Sequence, residues 1–300
     1  MKEYQVQGFD GKQIHRYVWD EVTEPKAVMQ IVHGMVEHAA RYDEFARFLN
    51  EHGYLVVAHD LRAHGKTDPQ TLGYSEGDIF EGNVRDQLCF EKELKETYRL
   101  PLVVMGHSYG SFVTQALILR NEVADAFVLS GSNLQKGITV SLGSRLNGRV
   151  LRKKGGAYPA ELMAKMTFET WQKKQPKGES WLSNDRQQVK KYEEDEFCSF
   201  VCSTGFYDSF FRGLKTLYQP KSLEKIPKNL PIYLFAGDGD PVGNYSKGVH
   251  QLYRMYQRLG LSNVALKIYH GGKHEMLNCV ERQQVYEDVL GQTDRMLKVE

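Results

Sequence analysis

Ser108 is the residue around which a chemistry can be read. It lies in Gly106-His107-Ser108-Tyr109-Gly110, a G-x-S-x-G pattern, directly after the apolar run 102–105 and ahead of residues 111–120, whose composition suits a helix. A strand that breaks sharply into a helix leaves little room beside the serine, which explains the two flanking glycines. Such a turn lifts the hydroxyl above a sheet and beside a helix N-terminus, where the dipole favours developing negative charge. The pattern predicts a nucleophile; the competing reading is a tight strand-to-helix turn with a polar filler. A hydroxyl attacks poorly unless a base removes its proton, so a histidine and an orienting carboxylate must come from further along the chain.

Of the ten histidines, only His250, His270 and His274 follow a second apolar run, at 232–236. His274 stands just past the run 264–269, in Tyr269-His270-Gly271-Gly272-Lys273-His274. The two glycines let the chain turn back over a sheet edge, which favours His274 as the base. His270, nearer the strand, is expected to pack or hydrogen-bond structurally. The run 232–236 ends in Gly237-Asp238-Gly239-Asp240-Pro241-Val242. Both aspartates occupy a loop at the C-terminal end of a strand, where open α/β sheets place ligands, and spacing alone does not separate them. A tetrahedral oxyanion needs two aimed backbone N–H groups. Tyr109, next to the nucleophile, offers one, and Met35, in Ile31-Val32-His33-Gly34-Met35, offers the other unless this is a plain strand-ending turn.

The elements that must hold these residues read as α/β. Residues 3–19 suggest a hairpin about Asp10-Gly11. Short apolar runs at 27–32, 54–58, 102–105 and 126–129 alternate with helical patterns, as a buried parallel sheet requires, and the α/β pattern returns at 232–236 and 264–269. Tyr42, Phe45, Phe48 and Leu49 repeat at helical spacing, as do Val285, Tyr286, Val289, Leu290, Met296 and Leu297. Between Ser132 and Lys225 the rhythm breaks. Residues 145–177 hold nine basic side chains against Glu161 and Glu169, an acidic run follows at 193–196, and no strand-like run occurs. The expected organisation is an α/β core from 1–131 and 226–300 with a helical insertion at 132–225.

Composition narrows the class. Of 300 residues, 41% are apolar and 26% charged, which excludes wholesale disorder. Thirty-nine basic against 38 acidic residues leave a net charge of +1, which argues against a nucleic-acid partner met through a global basic field. No run approaches the ~18 apolar residues of a membrane span, and the first residues lack the apolar stretch of a secretory signal. Cys198 and Cys202 lack the spacing and the second pair of a usual zinc site, so no metal is expected and the four cysteines read as buried or half-buried free thiols in a reducing cytoplasm.

With these motifs in view the sequence resembles the monoglyceride lipase and lysophospholipase branch of the α/β-hydrolases, of the serine aminopeptidase S33 type. Residues 33–42, His-Gly-Met-Val-Glu-His-Ala-Ala-Arg-Tyr, resemble the branch's HGxxEHxxRY stretch. Residues 59–67 are similar to its D-x-x-G-H-G-x-S loop, with Ala63 in place of the glycine and Thr67 in place of the serine. Gly106–Gly110, Gly237–Val242 and Gly271–His274 complete the match, which spans nearly all of the core and weakens over 132–225. The resemblance implies an eight-stranded, mostly parallel sheet with a helical cap after the sixth strand. It places the acid at Asp240 and implies cleavage of a carboxylic ester, without a cofactor, with the acyl chain under the cap.

It also implies that Glu37 and Arg41 brace the oxyanion loop and help receive the alcohol end, against an ordinary surface ion pair. Phe206 and Phe210, in an aromatic-rich stretch at 197–217, would line an acyl tunnel or simply pack the cap on the core. The basic cluster from Arg145 to Lys154 suits transient contact with an anionic membrane surface, or a solvated face. Competing activities are a proline-releasing aminopeptidase, which would use the 193–196 acids to hold an amine, a thioesterase and a general carboxylesterase. A hydrolase fold that only binds a ligand is the non-enzymatic reading. Epoxide hydrolases and dehalogenases are disfavoured, because they carry Asp where this chain has Ser108. The oligomeric state is left open.

Overall fold

Alternation along the strand before Ser108 shows what holds the sheet. Leu102 and Val104 project into one apolar layer and Val103 and Met105 into the other, and all four are buried. A strand covered on both faces must be largely apolar. Tyr54–His59, Ala126–Ser130 and Ile232–Gly237 are buried throughout in the same way, Ala27–Val32 admits the buried Gln30, and Val264–Tyr269, at the sheet edge, is only half-buried and carries Lys267.

The computed structural model describes residues 1–299. Its eight strands are β1 (Lys2–Gln7), β2 (Gln13–Trp19), β3 (Ala27–Val32), β4 (Tyr54–His59), β5 (Leu102–His107), β6 (Ala126–Ser130), β7 (Ile232–Gly237) and β8 (Val264–Tyr269). They form one sheet in the order β1-β2-β4-β3-β5-β6-β7-β8. Pairing is parallel from β4 to β8, while β2 runs antiparallel to both of its neighbours. The eight-stranded, mostly parallel sheet of an α/β-hydrolase fold is therefore present.

Helices cover both faces. Helices α1 (Asp43–Glu51) and α11 (Arg282–Leu297) bury one layer, and α2 (Ile79–Tyr98), α3 (Tyr109–Leu119) and α10 (Lys247–Arg258) bury the other. Between β6 and β7 come only helices: α4 (Ile138–Lys154), α5 (Glu161–Ala164), α6 (Thr170–Lys173), α7 (Arg186–Glu194), α8 (Thr204–Leu217) and α9 (Pro220–Leu223). A π-helical turn, Lys165–Glu169, joins α5 to α6, and the Thr170 hydroxyl donates to the Lys165 carbonyl five residues back. Helix α8 packs its aromatic face on α2 and α3. Among the described residues no helix is long and apolar enough to cross a membrane.

Three expectations change. Helix α3 begins at Tyr109, immediately after Ser108, rather than at Ser111. Cys89 is exposed, while Cys198, Cys202 and Cys279 are buried and all four are free. Glu37 and Arg41 do not pair along a helix: Glu37 lies in the preceding loop, and Arg41 on a 3-10 turn, Ala39–Tyr42. Helix α2, the longest, has no clear apolar periodicity, because its buried face includes Asn83, Asp86, Gln87 and Glu91.

Glu91 is fully buried, and among the described residues neither carboxyl oxygen has a partner. Burial, with Glu122 adding to it, pushes its pKa up to about 8. The folded chain thus binds a proton more tightly than the unfolded one, so stability falls as pH rises from about 4.5 through about 8. Glu91→Met should raise the melting temperature, with the gain at about pH 9 exceeding that at about pH 5 by on the order of 1–3 kcal/mol. Thermal melts across pH check this, and an equal gain at both ends would contradict it.

Candidate active site

The turn after β5 is built by exclusion. Ser108 has φ 52° and ψ −119°, a left-handed region that a side-chain-bearing residue occupies only under compulsion from its surroundings. A Cβ at Gly106 would strike the Thr114 hydroxyl and the Gly110 carbonyl, and one at Gly110 would strike the carbonyls of Val32 and His33. Only glycine allows β5, β3 and α3 to approach this closely. Ser108 N–H donates to the Ser130 carbonyl (3.0 Å), and the Ser111 hydroxyl donates to the Ser108 carbonyl (2.6 Å), which pins the strained residue from both sides.

The two aspartates after β7 take different partners. Asp240 is fully buried, and its Oδ2 meets His274 Nδ1 at 2.9 Å while its Oδ1 accepts from Val242 N–H (2.8 Å). Asp238 accepts from Gly271 N–H (2.7 Å) and meets the exposed His270 ring (2.8 Å), so that pair braces the loop. Burial works to lower the His274 pKa, but the charge and hydrogen bond of Asp240 outweigh it and raise the value above the ordinary one. With Nδ1 facing a carboxylate, Nε2 is the nitrogen left for a substrate proton.

His274 packs against Gly131, next in the chain to the residue that holds Ser108. A Cβ there would lie 3.0 Å from His274 Cε1, and Gly131 directly follows Ser130, whose carbonyl holds Ser108. The neighbouring His107 ring is 4.8 Å from His274, and burial together with His274 lowers its pKa to about 3, so it stays neutral. Among the described residues no hydrogen bond joins Ser108 Oγ to the imidazole; catalytic contacts of this kind commonly tighten only once substrate is bound.

Met35 and Tyr109 both line the cavity that Ser108 opens into, and among the described residues neither amide N–H has a protein acceptor. The loop carrying Met35 is held by two histidines. His33 Nε2 accepts from Leu61 N–H (2.9 Å) and His64 Nε2 accepts from Val36 N–H (3.2 Å), which leaves each Nδ1–H to donate to a carbonyl, of Gly34 and Arg62. Burial keeps both rings neutral, with His64 lowered to about 4.

Glu37 and Arg41 lie beneath this loop rather than at the surface. Glu37 Oε1 accepts from Gly34 N–H (2.5 Å) and the Tyr42 hydroxyl (3.0 Å), and its Oε2 meets Arg41 (2.7 Å). Arg41 forks onto both oxygens of Glu275 (2.6 and 2.7 Å), the residue after His274. Neither Glu37 nor Arg41 lines the Ser108 cavity. Glu275 escaped sequence reading; its position beside His274 was the only signal.

The cavity above Ser108 is about 140 Å³, lined besides the residues already named by Phe112, Met163, Phe168, Trp171, Tyr207, Phe210, Phe211 and Val242 and by the polar Asn133, Gln135 and Thr167. Phe210 is in this lining, whereas Phe206 is buried behind it, 4.9 Å from the Tyr109 ring. A larger cleft of about 620 Å³ is lined mostly by polar residues and lacks Ser108. Trp181, also not anticipated, lies 5.3 Å from the His274 ring at a tilt of 35° and touches Phe168 and Trp171, while its carbonyl accepts from His274 N–H (3.3 Å).

Residues 23–281 match the family described as serine aminopeptidase, S33. The chain is 27% identical to the monoacylglycerol lipase of Mycolicibacterium smegmatis over 291 residues, covering 96% of this chain and 95% of that one. It is also 27% identical to human monoglyceride lipase over 270 residues, 88% of this chain and 80% of the relative. The crystal structure of a thermostable carboxyl esterase from Bacillus coagulans, in complex with glycerol, superposes with a TM-score of 0.87 at 26% identity over 99% of this chain and 98% of that one.

Two measurements probe this arrangement. A base must be unprotonated to act, so with His274 raised the acid limb of kcat/KM should lie above the ordinary histidine value of about 6.5. Asp240→Asn removes the raising influence and leaves burial, so the limb should move to lower pH while kcat falls by about 10⁴; a limb that stays in place would contradict the pairing. Glu37→Gln weakens the hold on Gly34 and should lower kcat by roughly 10- to 100-fold with KM little changed, as steady-state kinetics would read.

Proposed function

This chain belongs to the serine aminopeptidase S33 family, and from that premise we propose that it hydrolyses the carboxylic ester of a single-chain lipid, a monoacylglycerol or a lysophospholipid, through an acyl-enzyme. The observation carrying this reading is Ser108, at a strained turn, opening into an aromatic cavity beside the buried Asp240–His274 pair. Likeness to monoglyceride and monoacylglycerol lipases supports the lipid ester.

His274 takes the Ser108 proton as Oγ bonds to the ester carbonyl carbon, and the amides of Met35 and Tyr109 hold the resulting oxyanion. Collapse expels the alcohol, which leaves with the proton from His274. Water, deprotonated by the same ring, then attacks the acyl carbonyl and returns Ser108. Asp240 keeps the ring in its tautomer and stabilises the imidazolium; it takes no proton. Glu37 and Arg41 act by holding the oxyanion loop, since they lie outside the cavity lining.

Residues 132–225 would form a cap on a core of residues 1–131 and 226–300. The acyl chain would run between Phe112 and the Phe210, Phe211 and Tyr207 face of α8, with Phe206 as backing. Ile138, Leu142, Leu162 and Met166 are exposed on this segment near Arg145, Arg149 and Lys165, a combination suited to transient contact with an anionic lipid surface. Four unpaired cysteines suit a reducing compartment such as the cytoplasm. The family's peptidase description keeps a second reading open. Glu169 and Glu193 line a cleft that shares Phe168 with the Ser108 cavity, where they could hold a free amine.

A serine-directed phosphonate should label Ser108, as peptide mass spectrometry would show, and Ser108→Ala should lower turnover by about 10⁴–10⁶. Monoacylglycerol or lysophospholipid should exceed aminoacyl-amide substrates in kcat/KM. Label on another residue would sink the nucleophile assignment, and faster amide cleavage would turn the reading to the peptidase.

A further inference from the structure

In sequence Cys198 stands nearest Cys202, but in space its neighbours are His38 and Asp195, one in the loop after β3 and the other at the end of α7. We propose that His38, Asp195 and Cys198 bind a thiophilic divalent cation of the zinc class, clasping the 132–225 segment to the loop that carries Met35. The three donor atoms lie within 4.8 Å of one another. Asp, His and Cys are a recognised donor set for such ions, and three protein ligands with a water in the fourth place make a complete tetrahedral shell.

The local chain is built to present two of them together. Asp195-Glu196-Phe197-Cys198 is a closed turn, with Cys198 N–H donating to the Asp195 carbonyl (3.1 Å). Asp195 Oδ1 is occupied by Phe197 N–H (2.8 Å), which turns Oδ2 outward to meet His38 Nε2 at 2.9 Å. Ligands three residues apart on one turn are the chelating arrangement of small zinc sites. The third ligand is oriented as well. His38 is 8% exposed and the Phe197 ring meets it edge-on at 5.7 Å, while among the described residues its buried Nδ1 has no partner. Cys198 is buried, and among the described residues its sulfur makes no hydrogen bond. Asp195 keeps part of its side chain in solvent, which leaves an entry path and room for the water.

Donors on a tetrahedral shell with bonds of ~2.0–2.3 Å sit ~3.5 Å apart, so the site closes by a shift of roughly one ångström. Coordination displaces the Cys198 thiol proton to solvent and moves the His38 proton to Nδ1, which has no protein acceptor among the described residues, a desolvation cost that the bonds to the ion must exceed. The thiolate and Asp195 then balance the dication. Arg41 is the cation facing the site, and it is already neutralised by Glu37 and Glu275. Ser199 N–H donates to the Val36 carbonyl (3.2 Å) across the same junction, so the ion would reinforce a contact the fold already makes.

The test uses Co(II) as a spectroscopic stand-in for zinc, titrated into the full chain under reducing conditions. A thiolate-to-cobalt absorption band should grow to one ion per chain in the wild type. It should persist in Cys89→Ser, which removes the exposed thiol, and vanish in Cys198→Ser, a near-isosteric change. Asp195→Asn should weaken binding at least about tenfold. Zn(II) should displace the cobalt and raise the melting temperature of the wild type but not of Cys198→Ser. Circular dichroism establishes that each variant is folded. No thiolate band at saturating Co(II), or a band that survives in folded Cys198→Ser, overturns the proposal, and neither result depends on the activity of Ser108.

Discussion

Arg41 is the pivot of the site. Its guanidinium is nearly sealed from solvent and makes three hydrogen bonds to two carboxylates, one to Glu37 and two to Glu275, each as deeply buried. Through Glu37 it fixes the backbone N–H of Gly34, and so the loop that carries Met35. Through Glu275 it fixes the residue after His274. One charge thus sets the distance between the loop that would stabilise an oxyanion and the loop that supplies the base. The arrangement has little slack, because removing one partner of a buried pair strands the other charge at a cost of about 3–5 kcal/mol.

The cluster holds two carboxylates against one guanidinium, and the environment treats them unequally. Burial raises the pKa of Glu37. Burial acts on Glu275 too, but the fork from Arg41 overrides it and lowers the value to about 2. The carboxylate nearer the imidazole therefore stays charged and reinforces Asp240 in favouring a protonated His274. The excess negative charge falls on the member facing the oxyanion loop, where the Gly34 amide and the Tyr42 hydroxyl disperse it.

The sheet was legible in the sequence because a strand buried on both faces has no alternative to a short, largely apolar, β-rich run; each such run proved to be a strand, as did the half-buried edge run 264–269 with its Lys267. Helix α2 was not, since Asn83, Asp86, Gln87 and Glu91 occupy its inner face and blur the helical period. Ser108 announced itself because strand, glycine turn and helix are contiguous. What chain position could not separate was Asp238 from Asp240, two residues apart in one loop, and geometry gives them different histidines. Glu275 and Trp181 were hidden for another reason: their partners are over 90 residues distant or meet them through backbone atoms. Phe206 and Phe210 share a helix face in outline, yet one turn of α8 puts only the second against the cavity.

The π-helical turn at Lys165–Glu169 has an evolutionary consequence. Thr167 and Phe168 reach the cavity from a stretch that is wound one residue wider than an α-helix. Because the wide turn takes up one extra residue, losing a single codon there would restore ordinary winding and leave the helix beyond, with Trp171, in register, changing which side chains of Lys165–Glu169 face the cavity. Substrate-length preference in a lineage of such proteins could then drift by insertions and deletions in one short peripheral stretch, with the sheet and its reactive residues untouched.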